Sequence, residues 1–495
     1  MSAQSNSAGQ TSNEAGPSAS GANGSGPRQL AISLITRSPT DAIPSSTYFI
    51  PASWKRYQLS ELINKVLKYP TPVPFDFLIN GQVLRGSLEA WVQRNRGGDE
   101  EGTIDVEYVR SLMPPEEVGR VEMEDWVSGL SLARSGHILV SSYLSHVQIL
   151  PLTLDAGSAF DAATHTLPLP TTLGATCCTW LSPPSATTNL RLAAGGVDRA
   201  VHVFTLPSLD PSSSTSGREL FTLMGHTGPI SSISSSSSGR ELVSASWDGN
   251  LHLYIMPEDE PTEHQLPSDP TTYLPGQKRR KKMKEERGPI EGLTDGDIGT
   301  EGWRRAPELI MRGHKGRIGS VAWDKQDTNK TWSGGWDGSV RGWDMETGAC
   351  TVVRQGSADK SILAMDQWAS NGTIATGSMD RTICLWDTRE ASSLISLTMP
   401  TTSPVASLTC HPTSQYTLCT ATYSGAVQIW DVRSPKNALF SFRKQRKNAG
   451  SAEKERKFNE KGKVFGERLL ACDWDGKVVV AGGEDGEVGI WRASG

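Results

Sequence analysis

No apolar run in the 495 residues approaches the length of a membrane-crossing helix, so no membrane partner is expected. Cysteine is scarce and unpatterned. The seven residues are an odd number without a Cys-x-x-Cys pair, which leaves neither a disulfide framework nor a zinc site. A reducing, intracellular compartment fits that usage. Neither sign of charge dominates: 49 Lys and Arg against 54 Asp and Glu give a formal net charge of −5, too small to imply a partner by itself. Also missing are a phosphate-binding loop, metal-ligand spacings and a Ser/His/Asp set that stands apart from a repeat. The expectation is therefore a protein that is not an enzyme. The first residues carry no basic start and no apolar block, so they are not a secretory signal, and residues 1–27 read as a disordered tail. What the chain does have is glycine (49), proline (29) and tryptophan (15), a mix of many turns and repeated aromatic anchors typical of all-β folds.

Residues 28–112 read as a small mixed domain. LAISLITR (30–37) and STYFIPASW (46–54) are expected strands. LSELINKVLKY (59–69) puts Leu59, Leu62, Ile63, Val66 and Leu67 on one helical face, with Ser60 as the candidate cap. FDFLI and QVL flank Asn80-Gly81, the dipeptide of tight hairpins. SLEAWVQ (87–93) is a short helical piece and TIDVEYV (103–109) a last strand. This order resembles the α+β, ubiquitin-like β-grasp fold, a class that does not by itself reveal function. Conjugated tails of that class end in Gly-Gly, whereas VEYVR here runs into SLMPPEE, so a built-in binding module is expected. Just before the last strand, two glycines are followed by Asp99, Glu100 and Glu101. The plain reading is a solvated turn. The sharper one is a carboxylate offered to something positive.

From residue 128 onward one pattern recurs: small residues, a turn dipeptide such as Asp-Gly, then alternating apolar residues ending in an aromatic. It reads SSYLSHVQIL (141–150), AAGGVDRAVHVF (193–204), SASWDGNLHLY (244–254), SGGWDGSVRGW (333–343), TGSMDRTICLW (376–386), TATYSGAVQIW (420–430) and AGGEDGEVGIW (481–491), seven copies in all. The copies resemble the WD-repeat β-propeller, giving an all-β seven-bladed ring over residues 113–495. His314, Ser333, Asp337 and Trp343 fall where WD repeats form a buried hydrogen-bonded network, and His226, Ser244 and Asp248 repeat it with Tyr254 in place of Trp. A catalytic triad is the competing reading. Recurrence by repeat position favours structure, since a triad needs an exposed nucleophile and an oxyanion hole. The network is degraded at Ser424 and Ala481. Only four residues follow Trp491, so the last blade lacks its outer strand, and GRVEME (119–124) is expected to supply it.

Two long insertions interrupt the repeats, at about 256–303 and 434–463. Both are polar and rich in Lys and Arg, and both read as mobile loops. The first contains QKRRKKMKEER (277–287), whose Lys278, Arg279, Arg280, Lys281 and Lys282 are expected to serve nuclear import. A merely solvated loop and electrostatic contact with RNA phosphate remain as alternatives. No aromatic interleaving or RNA-binding fold accompanies these runs.

A ubiquitin-like domain directly before a seven-bladed propeller, with VPFDFLINGQVLR (73–85), TIDVEY (103–108) and EDWVSGL (124–130), resembles the Ytm family of large-ribosomal-subunit assembly factors over residues 28–495. The resemblance implies a nucleus, nucleolus and nucleoplasm location, with a role in maturing the precursor rRNAs of the large (60S) subunit. It implies that the propeller joins block-of-proliferation-type and pescadillo-type proteins in a trimeric complex on the pre-ribosomal particle. It also implies that the ubiquitin-like domain docks on the metal-ion-dependent adhesion site (MIDAS) domain of a midasin-type AAA ATPase, which strips the complex from the particle. In such docking one carboxylate completes the shell of a divalent ion, Mg²⁺ by expectation, held by the partner. Aligned on VEY, that carboxylate is Glu101, with Glu100 and Asp99 one or two residues off. No metal is expected on the chain alone. The related Notchless family shares the docking domain but has eight blades. An adaptor in ubiquitin-linked signalling is a further alternative, though no F-box-like recruiting helix is found.

Overall fold

The computed structural model describes residues 28–38, 41–44, 46–69, 71–95, 102–111, 113–133, 136–152, 165–183, 186, 188–209, 217–257, 303–356, 360–389, 395–444 and 467–493. Its contacts separate into two compact units, divided after Ser111.

The first unit contains β1 (Gln29–Ile35), β2 (Thr47–Pro51), α1 (Arg56–Leu67), β3 (Phe75–Ile79), β4 (Gln82–Val83), α2 (Leu88–Asn95) and β5 (Ile104–Arg110). The strands form one sheet in the order β2-β1-β5-β3-β4, with β1 and β5 parallel at its centre. Period-2 alternation drives the burial: Leu30, Ile32 and Leu34 of β1 and Ile104, Val106 and Tyr108 of β5 join one core. Helix α1 seals that core with Leu59 and Ile63, and Leu62 and Leu67 pack at its rim. The apolar stripe is narrower than the sequence implies, because Val66 stays 37% exposed at the edge of the face. Ser60 is not the cap. The helix begins one turn earlier, with Lys55 as N-cap and its N–H bonded to Gln58 Oε1 at 3.0 Å. Ser60 lies inside the helix and stitches it to β3, donating to the Val73 carbonyl and accepting from the Phe75 N–H. Asn80 and Gly81 both adopt left-handed φ (50° and 72°), the backbone a two-residue hairpin between β3 and β4 requires.

The second unit is seven sheets, each the blade of a β-propeller, built from antiparallel strands apart from one edge strand of blade two. Blade four is typical, with strands Ile318–Trp323, Lys330–Gly335, Ser339–Asp344 and Cys350–Gln355 from inside to outside. Each innermost strand packs on that of the next blade, and Leu469–Trp474 of blade seven packs on Val127–Ala133 of blade one, so the ring is closed. Two devices hold the closing seam. The outer strand of blade seven is β6 (Glu116–Glu122), antiparallel to Glu487–Arg492 with Val121 opposite Val488. At the inner edge, the half-buried Asp473 of blade seven accepts the Leu132 N–H of blade one at 2.7 Å.

Both insertions are shorter than the sequence implies. Met256 is buried, and Trp303–Arg305 forms a fifth strand parallel to Arg218–Leu223 on the edge of blade two. Phe440–Phe442 is the outer strand of blade six, since its side chains cover Trp491 and neighbouring core. No helix among the described residues is long and apolar enough to cross a membrane.

Candidate functional site

In blade four the His314 ring sits in the loop entering the innermost strand, where it meets two side chains from the next hairpin. Its Nδ1–H donates to Asp337 at 3.1 Å, and its Nε2 accepts the Ser333 hydroxyl at 2.8 Å. The Trp343 indole N–H then donates to Ser333 Oγ at 2.8 Å. Glycine is required beside this relay: a Cβ on Gly335 would stand 2.4 Å from His314 Nδ1 and 2.5 Å from an Asp337 oxygen. Burial works to raise the Asp337 pKa, but His314, the Lys315 N–H and Ser339 together outweigh it and hold the carboxyl well below the usual range.

Blade three repeats the chain. His226 bridges Asp248 (3.0 Å) and Ser244 (2.7 Å), and Asp248 is likewise held low against its burial. Here the substitute Tyr254 reaches the Met224 carbonyl at 3.4 Å, and His252 stacks on His226 with centroids 3.6 Å apart. Burial, and then the neighbouring His226, push His252 down to about 3. In blade five Thr376 replaces Ser and accepts the Trp386 indole at 3.0 Å. In blade six the Trp430 indole nitrogen is buried without a partner. The sets of blades three and four have the Asp-His-Ser connectivity of a hydrolase, yet Ser333 and Ser244 are 0% exposed. No substrate carbonyl can reach either hydroxyl, so the relay's chemistry is adhesive: it pins the loop between blades to the following hairpin.

Outside these networks, one repeat position stands out, the residue just before the turn dipeptide. In blades three and four it is tryptophan, Trp247 and Trp336, exposed at 44% and 40%. Arg317, in the loop between those blades, lies over both indoles at 4.3 Å and 5.2 Å from their centroids. Sequence reading absorbed both tryptophans into the turn pattern and missed this arrangement. The available signal was Trp before Asp-Gly, a large apolar residue where a turn needs none.

The remaining site residues fall elsewhere. Asp99, Glu100 and Glu101 lie outside the described residues, between the end of α2 and the start of β5. The described part shows that the loop feeds the parallel pair at the centre of the sheet, where Ile104 is registered with Ile32. Lys278, Arg279, Arg280, Lys281 and Lys282 also lie outside the described residues. Among the described residues no group of three or more His, Cys, Asp or Glu is placed to hold a metal ion.

Comparison with known proteins places both units. The NLE (NUC135) domain matches residues 30–92, and the WD domain, G-beta repeat, matches residues 217–254, 306–344, 348–387 and 392–431. Those four spans include the best-formed relays, in blades three and four. The chain is 32% identical over 467 residues to a ribosome biogenesis protein YTM1 from Coprinopsis cinerea, covering 93% of this chain and 94% of the relative. It is 31% identical to the protein of that name from Laccaria bicolor, over 91% and 92% of the two chains. A ribosome biogenesis protein WDR12 homolog from Chlamydomonas reinhardtii is 29% identical over 82% and 88%.

Proposed function

This chain belongs to the YTM1 family of ribosome biogenesis proteins, and from that premise we propose that it is a non-enzymatic assembly factor of the large ribosomal subunit, with two separate docking surfaces. The observation that carries the reading is the pairing of an NLE domain with a closed propeller in one chain, matched along almost its whole length by ribosome biogenesis relatives. A rigid ring whose Ser/His/Asp sets are spent on internal adhesion is a scaffold. In this reading the propeller joins block-of-proliferation-type and pescadillo-type proteins on the pre-ribosomal particle, in the nucleolus and nucleoplasm, and supports maturation of the precursor rRNAs.

The ubiquitin-like domain is the handle by which a midasin-type AAA ATPase removes the complex. Glu101 is the residue we assign to that contact, with Glu100 and Asp99 as its neighbours in the same acidic run. A divalent ion held by the partner would accept one carboxylate oxygen, the hard donor such ions prefer. Glu101's own part is to supply that oxygen, three residues ahead of Ile104 in the central strand pair. Asp in its place is one methylene shorter and fails to reach.

The test is binding of the full chain to an isolated MIDAS domain, with and without chelator. Wild type binds only with the metal, and Glu101→Ala and Glu101→Asp lose binding while the chain keeps its thermal stability. Binding by Glu101→Ala equal to wild type, or indifference to chelator, refutes the metal bridge. Loss only in Glu100→Ala or Asp99→Ala moves the donor along the loop and keeps the mechanism.

A further inference from the structure

We propose that Arg317, held between Trp247 and Trp336, anchors a docking surface for an acidic segment of a partner protein. The argument starts from a repeat position used twice. Arg468 occupies in blade seven the place that Arg317 occupies in blade four, just ahead of the innermost strand. Arg468 lies 5.4 Å over Tyr423 of the preceding blade and pairs with Glu484 of its own blade at 3.8 Å. Glu484 stands where blade four has Trp336. Blade seven thus answers its arginine with a carboxylate, and blade four answers the same arginine with a second indole.

Among the described residues Arg317 is consequently a cation without a counter-ion. No carboxylate among the described residues pairs with it or with the exposed Lys315 two residues before. The acids that directly follow the two tryptophans are engaged: Asp248 takes His226 and the Thr227 N–H, and Asp337 takes His314 and the Lys315 N–H. Their side chains are only 6% and 12% exposed, so they face inward. The two indoles hold the guanidinium from either ring, so less rotamer freedom remains to be lost when a carboxylate arrives. Half-exposed tryptophans flanking an arginine are the side chains that dominate binding energy in protein interfaces.

Charge complementarity therefore selects an acidic, partly apolar peptide segment. RNA fits less well. The guanidinium fills the gap between the indoles where a base would stack, and two cations make no track for a phosphate backbone.

The inference rests on reading the propeller as a protein scaffold, and its test is separate from that reading. Fluorescence anisotropy is measured on the full chain with a labelled peptide of alternating Glu and Leu, and in parallel with a labelled oligouridylate. Wild type binds the peptide. Arg317→Gln and Trp336→Ala each weaken it by about tenfold or more, while Arg468→Gln stays within about twofold. Thermal unfolding of Arg317→Gln matches wild type, because the side chain is exposed. The proposal is overturned if wild type does not bind the peptide, or if Arg317→Gln binds as wild type does. Equal loss in Arg468→Gln also overturns it, as diffuse charge. So does an oligouridylate complex that Arg317→Gln abolishes, which makes the surface an RNA site. Co-sedimentation with large-subunit precursors decides the assembly role independently: a chain that binds the peptide but never co-sediments loses that role and keeps this surface.

Discussion

Removing one oxygen, by Ser333→Ala, should reveal how much the buried relay holds. Ser333 Oγ is shared by two partners: it accepts from the Trp343 indole and donates to His314 Nε2, both at 2.8 Å. Both partners are buried, so neither finds water once the hydroxyl is gone. An orphaned buried polar group costs about 1–3 kcal/mol, so the two together predict a loss of about 2–6 kcal/mol. The volume change is trivial, so a loss of that size has to be polar in origin. Blade five supplies the control. Thr376 performs the indole-accepting task there, so Ser333→Thr should recover most of the loss. Trp343→Phe removes one of the orphans, so Ser333→Ala with Trp343→Phe should cost less than the sum of the singles, by about 1–2 kcal/mol. The assay is urea unfolding followed by tryptophan fluorescence, with hydrogen exchange to locate the weakening in residues 330–344. A Ser333→Ala variant within about 0.5 kcal/mol of wild type, or strict additivity with Trp343→Phe, refutes the account.

Other outcomes follow from the seam and the insertions. Burial raises Asp473 from its ordinary 3.8 to about 6, so the folded state holds a proton that the unfolded chain has released. Stability from this group is therefore full below about pH 4 and falls by about 3 kcal/mol as pH rises through 6. Asp473→Asn should flatten that fall in urea midpoints taken from pH 4 to 7.5, and parallel curves for the two proteins would sink the assignment. Deleting residues 1–125 removes β6 and should lower the propeller's melting temperature, whereas deleting 1–27 should not; identical melting of both truncations contradicts the closure. Replacing Lys278, Arg279, Arg280, Lys281 and Lys282 with Ala should shift a fluorescent fusion toward the cytoplasm, and an unchanged nuclear signal assigns import to another segment or to a carrier partner.

Local rules were legible in the sequence, and relations across blades were not. Asn80-Gly81 dictates its hairpin because both residues tolerate left-handed φ, and the seven turn dipeptides fix the blade count. The missing outer strand of blade seven pointed to β6 because a sheet edge must be paired somewhere. The relay of blade four was readable too, as its members recur at repeat spacing. By contrast, Trp247, Arg317 and Trp336 meet only because blade three packs on blade four, with a long insertion between them in sequence. Asp473 meets the Leu132 N–H only through ring closure, a relation no repeat spacing carries. Ser60 has the composition of a cap, but the fork of Gln58 onto Lys55 starts the helix earlier and frees Ser60 for β3. Trp303–Arg305 is too short for alternation to be visible, and the edge of blade two defines it as a strand.

The closing strand also sets a timetable for synthesis. Glu122 pairs with Glu487, so β6 leaves the ribosome 365 residues before its partner exists. At about 5–20 residues per second, that is a wait of about 20–70 s with one edge unpaired. An unpaired edge invites any passing strand. Four of the seven residues of β6 are charged, Glu116, Glu117, Arg120 and Glu122, against two valines. That composition keeps a lone strand soluble and unattractive to neutral edges. Its rightful partner then identifies it by charge, with Arg120 reaching Glu487 at 3.5 Å. A nascent chain stalled anywhere before residue 487 is thus an open ring, and quality-control machinery that senses open β-edges has one defined place to look.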